Sequence, residues 1–328
     1  MNKKKRTIPV RIQQAEAILD RLKPLHPKRE LIQEDLSKQM AGYRGECSVD
    51  YYLNFLPEKE YYILHGLRLP YKDLYFQMDT LLISPKRIII LEVKNIAGTV
   101  IFGDPFNQLI RIKDGVEEGF DNPITQVRRQ RFQLIKWLSK NKFCLPPIHY
   151  FVVFSNTSTI IKTSTNDQTL FKTVCHANQI LSKIESLEKA TKVQPVLDNR
   201  TIKRMGKQLQ KEHTPHIPDL LKMYEIPISD ITKGVKCPYC SSLPMERKRG
   251  NWFCSSCLKT SKTAHLHALY EYFLLYGPTI TNSKAREFLQ ISSRSIAGNL
   301  LAEMNLQPEG SKRGSAYRFT QSMITPPS

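Results

Sequence analysis

Asp79, Glu92 and Lys94 are the residues whose types and spacing could do chemistry together. Hydrolysing a phosphodiester requires a divalent metal held against the phosphate, a cation for the developing charge and an oriented water, and carboxylates with a nearby lysine supply these. Alternate side chains of a strand share a face, so Glu92 and Lys94 point into one site while Val93 turns to the opposite face. The short turn from Ser84 to Arg87 lays the strand bearing Asp79 beside the one bearing Glu92, letting the two carboxylates share a hard, water-bearing ion such as Mg2+ or Mn2+. Lys94 would then polarise the water or the phosphate. Spacing alone is not specific, because an acid, any residue and lysine recur at Glu246-Arg247-Lys248. Only the first copy follows an aliphatic strand and is preceded by a second strand bearing an acid. A simple edge-strand ion pair is the competing reading.

The surrounding elements must position these groups. Leu36, Met40, Tyr43, Cys47 and Tyr51 recur at three- and four-residue steps and predict a helix over 31–57 with Cys47 in the core. Apolar, β-rich runs follow at Tyr61–Leu69, Tyr75–Ile83, Ile88–Ile96, Thr99–Phe102 and Gln108–Ile112. Asn122-Pro123 starts a second helix with Val127, Leu134 and Leu138 on its apolar side, and Ile148–Phe154 is a further strand. Helix, strands, helix, strand predicts an α/β mixed-sheet domain over 31–156, after a basic N-terminal arm at 1–30. Residues 157–230 read as a helical or linker extension, with a strand near Leu170–Cys175, a helix near Ile180–Leu187 and polar basic sequence from Arg200 to His213.

Gly45-Glu46, Gln77-Met78-Asp79, Glu92-Val93-Lys94 and Asn122-Pro123 with Gln126 resemble the nuclease-related (NERD) domain, itself similar to the PD-(D/E)XK nuclease superfamily, over roughly residues 38–154. The resemblance implies a nuclease-like fold in which Asp79 and Glu92 are metal ligands and Lys94 the catalytic lysine. It also implies that Glu46 is an auxiliary acid and Gln126 a polar group lining the site. Met78 stands where the superfamily motif has proline, a variable position. Glu46 lies one residue, about 100°, round its helix from the Cys47 stripe, at the edge of the expected buried face. Arg128, Arg129 and Arg131 follow Gln126 and could engage phosphates or merely form a solvated basic face.

The seven cysteines divide into two groups. Cys237, Cys240, Cys254 and Cys257 form two C-x2-C pairs, which predict four thiolates on one structural zinc and a zinc ribbon at 231–262. Such a closed site folds the chain and leaves no position for catalysis. Cys47, Cys144 and Cys175 stand alone and are expected as buried thiols. Arg247, Lys248 and Arg249 in the ribbon loop could meet nucleic acid or simply be solvated. Beyond the ribbon, Leu269, Tyr272, Phe273 and Tyr276 mark one helix. Ser283 and Ser292 could cap two more, and a glycine- and base-rich tail follows. Residues 263–328 thus resemble a winged helix-turn-helix, which would offer Arg294, Ser295 and Asn299 to a groove and Lys312 and Arg313 to phosphates.

Forty-nine Lys and Arg against thirty Asp and Glu give +19, a balance suited to a polyanion and most simply to nucleic acid, with DNA the favoured partner. Residues 231–328 contribute thirteen basic and five acidic groups, and the first forty residues ten and five. Ile88-Ile89-Ile90-Leu91 is far shorter than the roughly 20 apolar residues of a membrane span. Thr7 to Asp20 lacks the apolar region of a signal peptide, so a cytoplasmic protein is expected. Three functional classes follow. The favoured one is a Mg2+- or Mn2+-dependent DNA phosphodiesterase positioned by its C-terminal modules. The others are a non-catalytic regulator or DNA-structure-binding protein, and a protein-interaction scaffold that docks through the ribbon.

Overall fold

Strands rich in Ile, Leu and Val set the architecture of a computed structural model that describes residues 2–103, 106–164, 168–190, 194–310 and 316–319. It divides into one unit of Met1–Thr7 with Met40–His216 and another of Ile8–Gln39 with Ile217–Ser328. The chain begins with strand β1 (Asn2–Lys4) and helices α1 (Val10–Arg21) and α2 (Arg29–Leu53), the last running from the second unit into the first.

The first unit continues with β2 (Tyr62–Tyr71), β3 (Leu74–Ile83), β4 (Ile88–Lys94), β5 (Thr99–Phe102), β6 (Gln108–Lys113), β7 (Val116–Asp121), α3 (Pro123–Lys140), β8 (Ile148–Phe154), β9 (Ile160–Thr163), α4 (Gln168–Thr173), β10 (Val174–His176), α5 (Ile180–Ala190) and α6 (Asn199–Glu212). Its main sheet is mixed, in the order β1-β2-β3-β4-β8-β10, with β2-β3-β4 antiparallel and β4, β8 and β10 parallel. Leu64, Leu81, Ile88 and Ile90 pack in one core with Val127 and Leu134 of α3 and Met205 of α6. Leu82, Ile89, Leu91 and Val153 form another with Val49 and Leu53 of α2 and Ile180 and Ile184 of α5. A central strand covered on both faces must be apolar at successive positions, and β4 is buried from Ile88 through Val93.

Several elements differ from the sequence-based expectation. The predicted meander is two sheets, because β5 and β6 leave the main sheet and join β7 and β9 in the order β7-β6-β5-β9. The buried stripe of α2 is Gly45, Val49 and Leu53, whereas Cys47 is half-buried and Tyr51 is exposed. Aromatic side chains had moved the apparent stripe by half a turn. The first unit also continues past 156. In α6, Ile202, Met205 and Leu209 turn inward among exposed lysines, and Gly206 packs so closely on Tyr62 that an added Cβ would lie 2.3 Å from its ring. Leu170 falls in helix α4, with only Val174–His176 extended. Cys175 is buried as expected, but Cys144 is exposed.

The expected arm at 1–30 is structured throughout the described residues. Residues 2–4 pair in parallel with β2, and α1 enters the second unit. Its basic residues misled because some are buried with partners. The Arg21 guanidinium is 1% exposed, donates to Glu271 at 2.5 Å and to the Thr232 carbonyl at 2.9 Å, and stacks over Phe288.

The second unit adds α7 (Leu220–Met223), β11 (Glu246–Lys248), β12 (Asn251–Phe253), β13 (Thr260–Ser261), α8 (Ala264–Tyr276), β14 (Thr279–Thr281), α9 (Asn282–Leu289), α10 (Arg294–Ala302), β15 (Gln307–Glu309) and β16 (Ala316–Arg318). β11-β12-β13 form one sheet and β14-β16-β15 another. Thr281 and Ser293 cap α9 and α10 through their hydroxyls, in place of the expected Ser283 and Ser292. Val235, Cys237, Met245 and Trp252 share one core with Leu269, Phe273, Phe288 and Leu301, so the cysteine module and the helices after it are packed together. Among the described residues no helix is long and apolar enough to cross a membrane.

Candidate active site

Pairing between β3 and β4 runs from Ile83 opposite Ile88 to Thr80 opposite Leu91, which brings Asp79 opposite Glu92 as the strands part. There the Val93 amide donates to Asp79 Oδ2 at 2.8 Å, so the aspartate is turned toward β4. Burial and the charges of Glu92 and Glu46 push its carboxyl well above the usual range, against the Val93 amide and Lys94. Glu92, with its side chain 3% exposed, accepts from Lys94 Nζ at 2.7 Å and from Gln130 Nε2 at 2.7 Å. Lys94 also donates to Gln126 Oε1 at 3.0 Å, fixing the amide that α3 supplies from its first turn. The structure thus brings Asp79, Glu92, Lys94 and Gln126 together.

Glu46 approaches from α2. Burial raises its carboxyl pKa, as do Asp50 and Glu92, while Arg6 and Lys4 oppose the shift. Arg6 donates to Glu46, to Asp50 at 2.6 and 2.9 Å, to Thr80 Oγ1 at 3.0 Å and to the Asp79 carbonyl at 3.2 Å. His65 lies 3.2 Å from Asp50, and burial holds its pKa down at about 4. Arg6, Asp50, His65 and Gln130 were all missed by the sequence reading. Asp50 and Gln130 lie four residues after Glu46 and Gln126, a helical spacing that could have revealed them. Arg6 had no such signal, being one cation in a basic run.

Four carboxylates (Glu46, Asp50, Asp79 and Glu92) face the three cations Lys4, Arg6 and Lys94, and the raised Asp79 pKa reports charge that remains uncompensated. Hard oxygen donors in that electrostatic state fit a divalent cation, with Asp79 and Glu92 as the protein ligands.

Gly45 positions Glu46. A Cβ at this glycine would lie 2.6 Å from Ser155 Oγ and 2.7 Å from Asn95 Cβ, beside the ends of β8 and β4. Gly45→Ala should therefore lower the melting temperature by several degrees, since overpacking costs roughly 1–3 kcal/mol and exceeds alanine's helix-propensity gain. An unchanged or higher melting temperature by calorimetry would contradict this packing.

In the second unit the Sγ atoms of Cys237, Cys240, Cys254 and Cys257 all lie within 4.8 Å of one another, with Cys237–Cys257 at 3.6 Å and Cys240–Cys254 at 3.5 Å. Tetrahedral zinc with bonds of about 2.3 Å has ligand–ligand edges of roughly 3.8 Å, so the four sulfurs fit such an ion.

The remaining expected nucleic-acid contacts are placed unevenly. Arg128 and Arg129 are exposed on α3, Arg128 donating to Tyr150 Oη at 3.1 Å. Arg131 donates to the Ile148 carbonyl. Lys248 and Arg249 are exposed, but Arg247 is half-buried over Trp252. Arg294, Ser295 and Asn299 are exposed on α10. Lys312 and Arg313 lie outside the described residues.

A mixed sheet presenting an acid from each of two adjacent strands, with a lysine two residues after the second, is a nuclease-like arrangement. The family model of the nuclease-related domain matches residues 41–155, about a third of the chain, and includes Glu46, Asp79, Glu92, Lys94 and Gln126. No curated protein and no solved structure matches the chain.

Proposed function

We propose that the first unit is a metal-dependent nuclease acting on DNA phosphodiesters. The observation carrying this reading is the convergence of Asp79, Glu92 and Lys94 at the point where β3 and β4 separate. Bound Mg2+ or Mn2+ would supply Lewis-acid stabilisation of the phosphate and activation of a water. The chain's own part is to hold the acids close in a desolvated pocket, to keep Lys94 aimed by Glu92 and Gln126, and to screen Glu46 and Asp50 with Arg6. Lys94 remains 25% exposed on its side chain, enough to reach a substrate oxygen.

The second unit is read as the part that binds and positions nucleic acid. The cysteine set would hold structural zinc. The order α8-β14-α9-α10-β15-β16 supports a winged helix, with α10 presenting Arg294 and Asn299. A protein whose thiols must stay reduced for zinc suits the cytoplasm.

The test compares wild type with Asp79→Asn on linear, circular and single-stranded DNA with Mg2+ or Mn2+. Cleavage should fall by about a hundredfold or more in the variant, as for loss of a principal electrostatic group, with DNA binding retained. Equal cleavage by the folded variant would remove Asp79 from the site. Tight binding without cleavage by wild type would favour the non-catalytic DNA-structure-binding reading, which the saturated Glu92–Lys94–Gln130 network also suits as a purely structural feature.

A further inference from the structure

A separate surface of the first unit joins the tip of the β2–β3 hairpin to the outer side of α3. Tyr71 meets Phe132 edge to face with ring centroids 6.4 Å apart, while Phe132 is 52% and Tyr75 47% exposed. Each of these rings has a cation beside it. The Arg68 guanidinium lies 3.8 Å over Tyr75, Lys72 Nζ lies 6.0 Å from the Tyr71 ring and Lys136 Nζ lies 5.4 Å from Phe132. None of these residues takes part in the carboxylate cluster.

We propose that this surface binds a single-stranded segment of nucleic acid, with bases stacking on Tyr75 and Phe132 and phosphates held by Lys72, Lys136 and Arg129. The proposal rests on the reading of the neighbouring site as one that acts on nucleic acid, and it specifies the form of that substrate. Open rings alternating with cations match a chain whose flat apolar bases alternate with phosphates. A duplex keeps its base faces stacked and would use only the cations. The surface is also continuous with the candidate active site through α3, which carries Gln126 in its first turn and Phe132 six residues later, about 9 Å along the axis. The exposed side of α3 between them carries Arg128 and Arg129, and the acid at the hairpin tip, Asp73, is outnumbered.

The test uses the full chain in chelator, so that no strand is cut, with an oligothymidylate of about 16 nucleotides carrying iodouracil and a duplex of equal length. Photo-crosslinking should attach the single strand to peptides containing Tyr75 or Phe132. The paired change Tyr75→Ala with Phe132→Ala should weaken single-strand affinity about tenfold or more and duplex affinity less than twofold. Tyr75→Phe, which keeps the ring, should bind as wild type does, separating stacking from a folding defect. Crosslinks confined to other peptides, or equal losses for the two DNA forms, would overturn the platform, as would unaltered single-strand binding by the double alanine variant, which would leave this patch to a protein partner.

Cleavage assays run separately on Asp79→Asn distinguish the two readings. Stacking can hold where cleavage is absent, and cleavage can hold where the ring changes do nothing.

Discussion

Lys94→Ala is expected to lower the rate of metal-dependent DNA cleavage by about 100- to 1,000-fold, with DNA affinity changed less than twofold. Lys94 holds Glu92 at 2.7 Å and Gln126 at 3.0 Å while part of its side chain stays open. Removing it deletes the cation closest to Glu92 and also the group that would stabilise developing phosphate charge. Binding should survive because one cation among 49 Lys and Arg contributes little to the field over a long polyanion. Lys94→Arg tests position as well as charge, since a planar guanidinium cannot reproduce a compact ammonium and should recover only part of the rate. Single-turnover cleavage with saturating enzyme is the measurement. A Lys94→Ala variant that cleaves within about threefold of wild type would assign the lysine to the ion pair alone.

The parts of this site legible in the sequence were those written in local spacing. Glu92 and Lys94 share a strand face at a period of two, and a four-residue turn sets Asp79 opposite them. The two C-x2-C pairs likewise announce their shared centre, because two short loops can bring four sulfurs together. Arg6 was not legible. It reaches Glu46 and Asp50 only because residues 2–4 add a strand beside β2, and no property of Lys3-Lys4-Lys5-Arg6 distinguishes a buried guanidinium from a solvated one. The α2 stripe failed for a different reason. Tyr43 and Tyr51 scored as apolar, yet helix packing near β4 and β8 demands the smallest side chain, Gly45, at the point of closest approach. Sequence from Arg200 to His213 hid α6 because three inward residues, Ile202, Met205 and Leu209, suffice to bury one face of a helix otherwise rich in lysine, arginine and glutamine.

Removing metal from the cysteine centre should disorder α8–α10 together with the cysteine loops. The reason is the shared core: Cys237 and Cys254 are buried with Trp252, and Trp252 packs in the same cluster as Ala268, Leu269 and Leu301. Structural zinc contributes apparent binding free energy of about 10–16 kcal/mol in small modules. The ribbon here has only strands of three, three and two residues to set against that loss. Cys257→Ser should have a similar effect, because three thiolates no longer close the tetrahedron. The protein provides its own reporter. It contains two tryptophans, and Trp137→Phe leaves only Trp252, which is fully buried and donates from Nε1 to His265 Nδ1 at 3.2 Å. In that background, chelation at neutral pH should shift the emission of Trp252 to the red and reduce helical circular dichroism, and zinc should restore both. Should elemental analysis find the metal gone while the emission stays blue, the hydrophobic cluster would be holding the module by itself, and the four thiolates would then serve to bind a metal that the fold does not need.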